Sequence, residues 1–172
     1  MEKNGLSHWI WGPWSRLALW TAAIAFVFDQ INKLWMIKIY GIQNRGTVHV
    51  LPFMDLKFLC NEGVSFSFMS GTLPPGVLAA FAVVASLALA AWIAQAGTGA
   101  LMSLSVGLII GGAIGNAIDR LWLGCVADFY SLHAFGYYWY VFNIADVAIV
   151  AGVIGLLYDS FVPSRNDAAN AP

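Results

Sequence analysis

The sequence predicts an all-α integral membrane protein: four transmembrane helices, with a small β-structure in the first long loop. Three observations carry this. Of 172 residues, 60% are hydrophobic and only 10% are charged, against about 25% charged in a soluble domain. Residues 77–94 and 100–118 contain no charged side chain, and runs of that length cross the roughly 30 Å hydrocarbon core as helices. Two further apolar stretches acquire polar residues at one end only, as spans with one polar end do.

The first helix is expected over 17–40. Leu17 to Phe28 is apolar and runs on into Asp29, Gln30 and Lys33. Lys3, Arg16 and the triplet Ala23-Ile24-Ala25 give it the look of a secretory signal, but the triplet sits mid-run and Phe26-Val27-Phe28 follow it, so an uncleaved helix is the better reading. In the loop 41–75, Val48 and Val50, then Leu56 and Phe58, alternate with period two, and Pro52 and Gly63 break the pattern. That favours a β-hairpin or curled sheet lying on the membrane surface. The second and third helices, 76–95 and 100–120, are separated by a short Gly/Thr link and should be antiparallel neighbours. Gly107, Gly111 and Gly115 form a small-residue stripe on the third, which lets another helix approach closely; packing alone explains it. A loop over 121–137 leads to the fourth helix, 138–158. The whole chain reads as a single membrane-embedded domain.

With four crossings, parity places the C-terminal ends of helices one and three and the N-terminal end of helix four on one membrane face. Those are the polar ends, so Asp29 and Lys33, Asn116, Asp119 and Arg120, and Asn143 and Asp146 gather on one side with both long loops. Charge leaves the direction open, because Lys3, Arg16 and Arg165 on one side nearly balance Lys38, Arg45, Lys57 and Arg120 on the other. Trp9, Trp11 and Trp14 mark one interface and Tyr137, Tyr138, Trp139 and Tyr140 the other.

Several function classes drop out. A net charge of -1 offers no basic face for nucleic acid. Cys60 and Cys125 lack CxxC or Cys/His spacing, so no zinc site or disulfide framework is written into the chain, and a bridge between the two stays open. No HExxH or His/Asp cluster suggests a metal, and no Gly-x-Ser-x-Gly or serine partner for His8, His49 or His133 suggests a serine hydrolase.

What remains is carboxylate chemistry. An ionisable residue at membrane depth costs at least about 2.5 kcal/mol, which makes it a functional candidate. Asn116 with Asp119, and Asn143 with Asp146, are each three residues apart, placing an amide and a carboxylate on one helical face. Asp128, in the excursion after helix three, can fold back to the same depth. Two carboxylates held close in a desolvated site share a proton, supplying an acid and a base together, and through a bridging water such a pair can hydrolyse a peptide. Plainer readings exist for some of these. Asp29 and Lys33 at i, i+4 read equally well as a self-neutralising interfacial pair, Asp119 beside Arg120 as a helix cap, and Asn61 with Gly63 as a turn. For Asp146, inside an apolar segment with no base within one turn, function is the stronger reading.

Four blocks in order resemble the lipoprotein signal peptidase family, the bacterial type II signal peptidases: Asp29-Gln30-Ile31-Asn32-Lys33; Asn61-Glu62-Gly63-Val64-Ser65-Phe66; Gly111 to Arg120 with Val126-Ala127-Asp128-Phe129; and Phe142-Asn143-Ile144-Ala145-Asp146. The resemblance implies an inner-membrane aspartyl peptidase with four helices, cytoplasmic termini, a small β-cradle in the first extracytoplasmic loop and a site toward the outer face. It implies Asp128 and Asp146 as the catalytic pair, Asn61, Gly63, Asn116, Arg120 and Asn143 as the supporting shell, and Asp29, Lys33 and Asp119 as structural or positioning residues. The implied substrate is a prolipoprotein bearing a diacylglyceryl cysteine, cut on the amino side of that cysteine; membrane lipid is the other partner, no cofactor is needed, and a monomer is expected. Asn32, Ser65 and Ala127 depart from the usual pattern, away from the two aspartates. Leu121 to Cys125 faintly resembles a lipobox, but it follows three spans and has Trp122 where a small aliphatic belongs. A small proton-coupled transporter is the competing reading; its carrier carboxylate would need access from both sides, whereas the acids here gather on one. A scaffold protein would have no use for the paired Asn/Asp motifs.

Overall fold

The computed structural model describes residues 11–63, 73–95 and 99–161. The Val64-Ser65-Phe66 part of the second block, residues 96–98 of the link, and Lys3, His8, Trp9 and Arg165 lie outside them. Helix α1 (Ser15–Leu34) runs into a π-helical turn, Trp35–Ile39, so the first helix closely follows its expected extent. Strands β1 (Val48–Leu51) and β2 (Met54–Asn61) occupy the loop where alternation predicted them. Helices α2 (Pro75–Gln95) and α3 (Ala100–Leu123) follow, then strands β3 (Val126–Ala134) and β4 (Tyr137–Phe142) and helix α4 (Ile144–Phe161).

Among the described residues three helices, α2, α3 and α4, are long and apolar enough to cross a membrane. The first is not among them, because Arg16, Asp29, Gln30, Asn32 and Lys33 dilute its apolar run. Helix α3 lies centrally, packed against α1, α2 and α4; half of its apolar window is buried, against 22% for α2 and 17% for α4. The glycine stripe makes that closeness achievable. A Cβ at Gly107 would sit 2.6 Å from the Ala18 carbonyl oxygen, and one at Gly111 2.5 Å from that of Ala22. At Gly115 it would instead lie 2.7 Å from Asp29 Oδ2, so this position clears space for a carboxylate as well as a backbone.

Two expectations need correction. The fourth helix does not begin at 138: residues 137–142 form β4, and the helix starts at Ile144. Its expected first turn is a run of aromatic and β-branched residues, Tyr-Tyr-Trp-Tyr-Val-Phe, which favours extended backbone, and Phe135 and Gly136, both with positive φ, form the turn that doubles the chain back. An all-α description is also incomplete. The β-structure is one four-stranded antiparallel sheet in the order β1-β2-β3-β4, so half of it comes from the second loop.

The sheet is seated on the polar end of the bundle by a core of Met36, Ile42, Ala127 and Phe129. Where β2 meets β3 the register slips between Leu56↔Tyr130 and Leu59↔Asp128, a bulge, and pairing then resumes as Cys60↔Ala127 and Asn61↔Val126. Cys60 and Cys125 are joined by a disulfide, with Cα atoms 5.5 Å apart. On the sheet, buried Asp55 of β2 meets His49 Nδ1 at 2.7 Å and His133 Nε2 at 3.3 Å, tying three strands together. The hydrogen bond with His49, aided by His133, holds Asp55 below the usual carboxylate range against the opposing effect of burial.

Candidate active site

The polar ends of α1, α3 and α4 meet, as parity required, and they meet beneath the start of β3. Lys33 anchors the inner layer. Its Nζ lies 2.7 Å from Asp29 Oδ2 and 2.8 Å from Asp119 Oδ2 and donates to Asn116 Oδ1 at 3.0 Å. All three ionic groups are buried. One ammonium facing two carboxylates leaves negative charge over, and backbone donors meet it: Ala145 N–H donates to Asp29 Oδ1 at 2.9 Å and Ala127 N–H to Asp119 Oδ2 at 3.1 Å. Gln30 Nε2 adds weaker contacts to both acids. Thus Asp29 supplies a partner to an otherwise orphaned donor at the start of α4, and Asp119 holds the start of β3.

The outer layer contains the other two acids, and Asn143 joins them. Its side-chain Nδ2 donates to Asp128 Oδ1 at 2.7 Å and to Asn116 Oδ1 at 3.1 Å, while its backbone N–H donates to Asp146 Oδ2 at 3.2 Å. In return Asn143 Oδ1 accepts the Asp146 N–H at 3.0 Å. This is a capping box: Asn143 precedes the helix instead of sharing a helical face with Asp146, which corrects the expectation drawn from their spacing. Asn116 Nδ2 completes Asp146 at Oδ1, 2.9 Å, and Asn61 Nδ2 completes Asp128 at Oδ2, 3.1 Å. Burial, and then the negative charge of Asp146, push the Asp128 carboxyl up to about 7; the two amide hydrogen bonds pull the other way and do not prevail.

Arg120 closes the rim. It donates to the Gly63 carbonyl at 2.8 Å and the Asn116 carbonyl at 3.2 Å, and its Nε is buried without a hydrogen-bond partner among the described residues. Gly63 N–H in turn donates to Asn61 Oδ1 at 3.1 Å. All ten residues singled out in the sequence therefore converge. Two further residues beside the site were noted in the sequence without a role in it: Gln30, within the first block, and Tyr140, in the interfacial aromatic run.

Two cavities open on Asp146. The larger, about 690 Å³, is walled by aromatic residues of β4 and by Val147, Val150 and Ile154 of α4. The smaller, about 340 Å³, lies among α2, α3 and α4 and has Asn61, Asn116 and Arg120 in its lining. Tyr140, Asp146 and Val150 border both. Among the described residues no group of three or more His, Cys, Asp or Glu side chains forms a metal-binding set.

A model of the signal peptidase (SPase) II family matches residues 21–162, which takes in every element of this site. The chain belongs to the signal peptidase II family. Its relatives agree: a lipoprotein signal peptidase of Rhodopseudomonas palustris is 50% identical over 163 residues, covering 91% of this chain and 98% of that one. One of Nitrobacter hamburgensis is 47% identical over the same shares. A bacterial membrane enzyme solved by the in meso method at 2.3 Å superposes with a TM-score of 0.73 at 26% identity, covering 90% of this chain and 91% of that one. Membership of this family implies a protease, and three of the described helices are apolar enough to cross a membrane.

Proposed function

We propose that this signal peptidase II is an aspartyl endopeptidase that removes the signal peptide from diacylglyceryl-modified prolipoproteins, cutting on the amino side of the lipidated cysteine. The observation that carries the mechanism is Asn143, which binds Asp128 through its side chain and Asp146 through its backbone and so holds the two carboxylates to one another. Asp128, raised to about 7, retains a proton into the neutral range. Asp146 lies in the first turn of α4, where the helix dipole favours negative charge. Asp146 takes a proton from a water lying between the two acids, the hydroxide attacks the scissile carbonyl, and Asp128 donates its proton to that carbonyl oxygen. The resulting gem-diol intermediate collapses as the proton gained by Asp146 passes to the leaving amine and one gem-diol hydroxyl returns a proton to Asp128, which restores both acids. Arg120, which lines the smaller cavity, serves the substrate, its guanidinium offering donors to a peptide carbonyl or a lipid phosphate.

The two cavities suit the two halves of such a substrate. The aromatic one opening along α4 fits acyl chains, and the one lined by Asn61, Asn116 and Arg120 fits a peptide. As an inner-membrane protein the chain would cross four times: α1 lies along central α3 and neutralises Asp29 with Lys33 internally, which supports its span despite its polar end. The Cys60–Cys125 bridge belongs to an oxidising compartment, which supports a sheet and active site facing outward. The test is cleavage of a diacylglyceryl-modified precursor by purified protein in a bilayer. Asp128→Asn and Asp146→Asn should each lower turnover by roughly 10³-fold or more with the folded protein retained, and near-normal turnover in either would exclude the dyad.

A further inference from the structure

Resting on the peptidase reading, we infer that the Cys60–Cys125 disulfide is a positioning element of the reaction, holding Asn61 at the distance from which it binds Asp128. The bulge between Leu56 and Leu59 interrupts the β2–β3 ladder immediately before the residues that matter, so the register of 59–61 must be fixed locally. Two diagonal links do this from opposite faces. Cys60 pairs with Ala127 and bridges to Cys125, two residues away along the neighbouring chain; Asn61 pairs with Val126 and reaches Asp128, also two residues away. Because alternate residues point to opposite faces of a strand, the disulfide and the Asn61–Asp128 hydrogen bond clamp the end of β2 from both sides.

Gly63 and Arg120 depend on this clamp in turn. Asn61 Oδ1 holds the Gly63 N–H, and the Gly63 carbonyl takes the guanidinium of Arg120. The bridge, Asn61, Gly63 and Arg120 therefore form one continuous chain between Asp128 and the smaller cavity. Opening the bridge frees Cys60, which is exposed, whereas Cys125 stays buried at the start of β3. The movable partner is thus the strand end bearing Asn61. Since the Asn61 hydrogen bond favours the ionised form of Asp128, its loss should leave that acid harder to ionise.

The experiment measures pH profiles of kcat and KM for cleavage of a diacylglyceryl-modified precursor peptide. It compares oxidised wild type, wild type reduced after purification with dithiothreitol, Cys60→Ser/Cys125→Ser, Asn61→Ala and the triple variant. Mass spectrometry counts the two hydrogens that reduction adds. Loss of the bridge should move the neutral limb of the kcat profile upward by about one pH unit, the scale of one hydrogen bond to a charged group. It should also lower kcat on the order of tenfold through misplacement, with KM little changed. Asn61→Ala should reproduce both effects and the triple variant add nothing to them. A bridge-free enzyme with an unmoved limb and undiminished kcat would overturn the inference, as would full additivity with Asn61→Ala or an absent bridge in unreduced protein. If the serine variant does not accumulate, the reduced wild type decides by the same criteria. A wild type that fails to cleave would instead count against the peptidase reading itself.

Discussion

Lys33 meets two buried carboxylates at once, and its removal should be felt more as an electrostatic fault than as a lost contact. Breaking a buried ionic cluster by deleting one partner costs about 3–5 kcal/mol, because the remaining charges stay desolvated. Lys33→Met should therefore lower the unfolding midpoint in detergent sharply, and a change of under about 1 kcal/mol would mean that the three side chains do not act as a buried ionic cluster. The outer acids obey a different logic. Asp128 has its pKa raised above the unfolded value of about 3.9, so its contribution to stability is fully present below that value and lost as pH rises through about 7. On the proposed mechanism the same proton serves the reaction. Single-turnover cleavage should fall above about pH 7 by roughly tenfold per unit, and a rate that keeps climbing to pH 9 would give the acid role to another group.

Among the elements, α3 was the most legible, because uninterrupted apolar length and glycines every four residues both stand out in the bare sequence. Gly111→Ala tests that stripe: the added methyl meets the backbone of Ala22, and overpacking of this kind costs about 1–3 kcal/mol, to be measured by thermal unfolding in detergent. Seven polar residues at the ends of the helices were legible too, since each contrasts with an apolar background and parity brings them to one end, whereas Asn61 and Gly63 stood out only through the resemblance. Less legible was β4. Its residues are apolar enough to extend the span that follows, and only pairing with β3, settled by Gly136 and by Asn143 capping α4, makes them a strand. The Cys60–Cys125 bridge and the His49–Asp55–His133 cluster were hidden for a related reason: both depend on strand register, which a bulge shifts by one residue and which periodicity alone does not report.

For the molecule as a whole, on the proposed function, the placement of the site at the rim of the bundle would explain a need for lipid on the substrate. A diacylglyceryl group contributes roughly 0.8 kcal/mol for each buried CH₂, enough to hold the substrate in the membrane plane with its cysteine beside Asp128 and Asp146. The aromatic cavity along α4 lies where such chains would run. Lipidated and unlipidated forms of one precursor, compared in the same bilayer at equal membrane concentration, should differ by at least tenfold in kcat/KM, by about 1.4 kcal/mol of positioning; equal rates would confine the lipid to delivery.

The hydrogen bond from Ala145 to Asp29 spans 116 positions of the chain, and that separation has a meaning in time. At about 5–20 residues per second a ribosome needs on the order of ten seconds to make the intervening segment. On the proposed four-span reading, α1 would enter the membrane during that interval with Asp29 already paired to a counter-ion, Lys33 one turn away. Asp119 joins when α3 is inserted, and Asn143 and Asp146 arrive with the last helix. On the proposed mechanism, the nascent protein would hold its acids apart until Asn143 and Asp146 have been made, and hydrolytic competence would begin only once they close on Asp128.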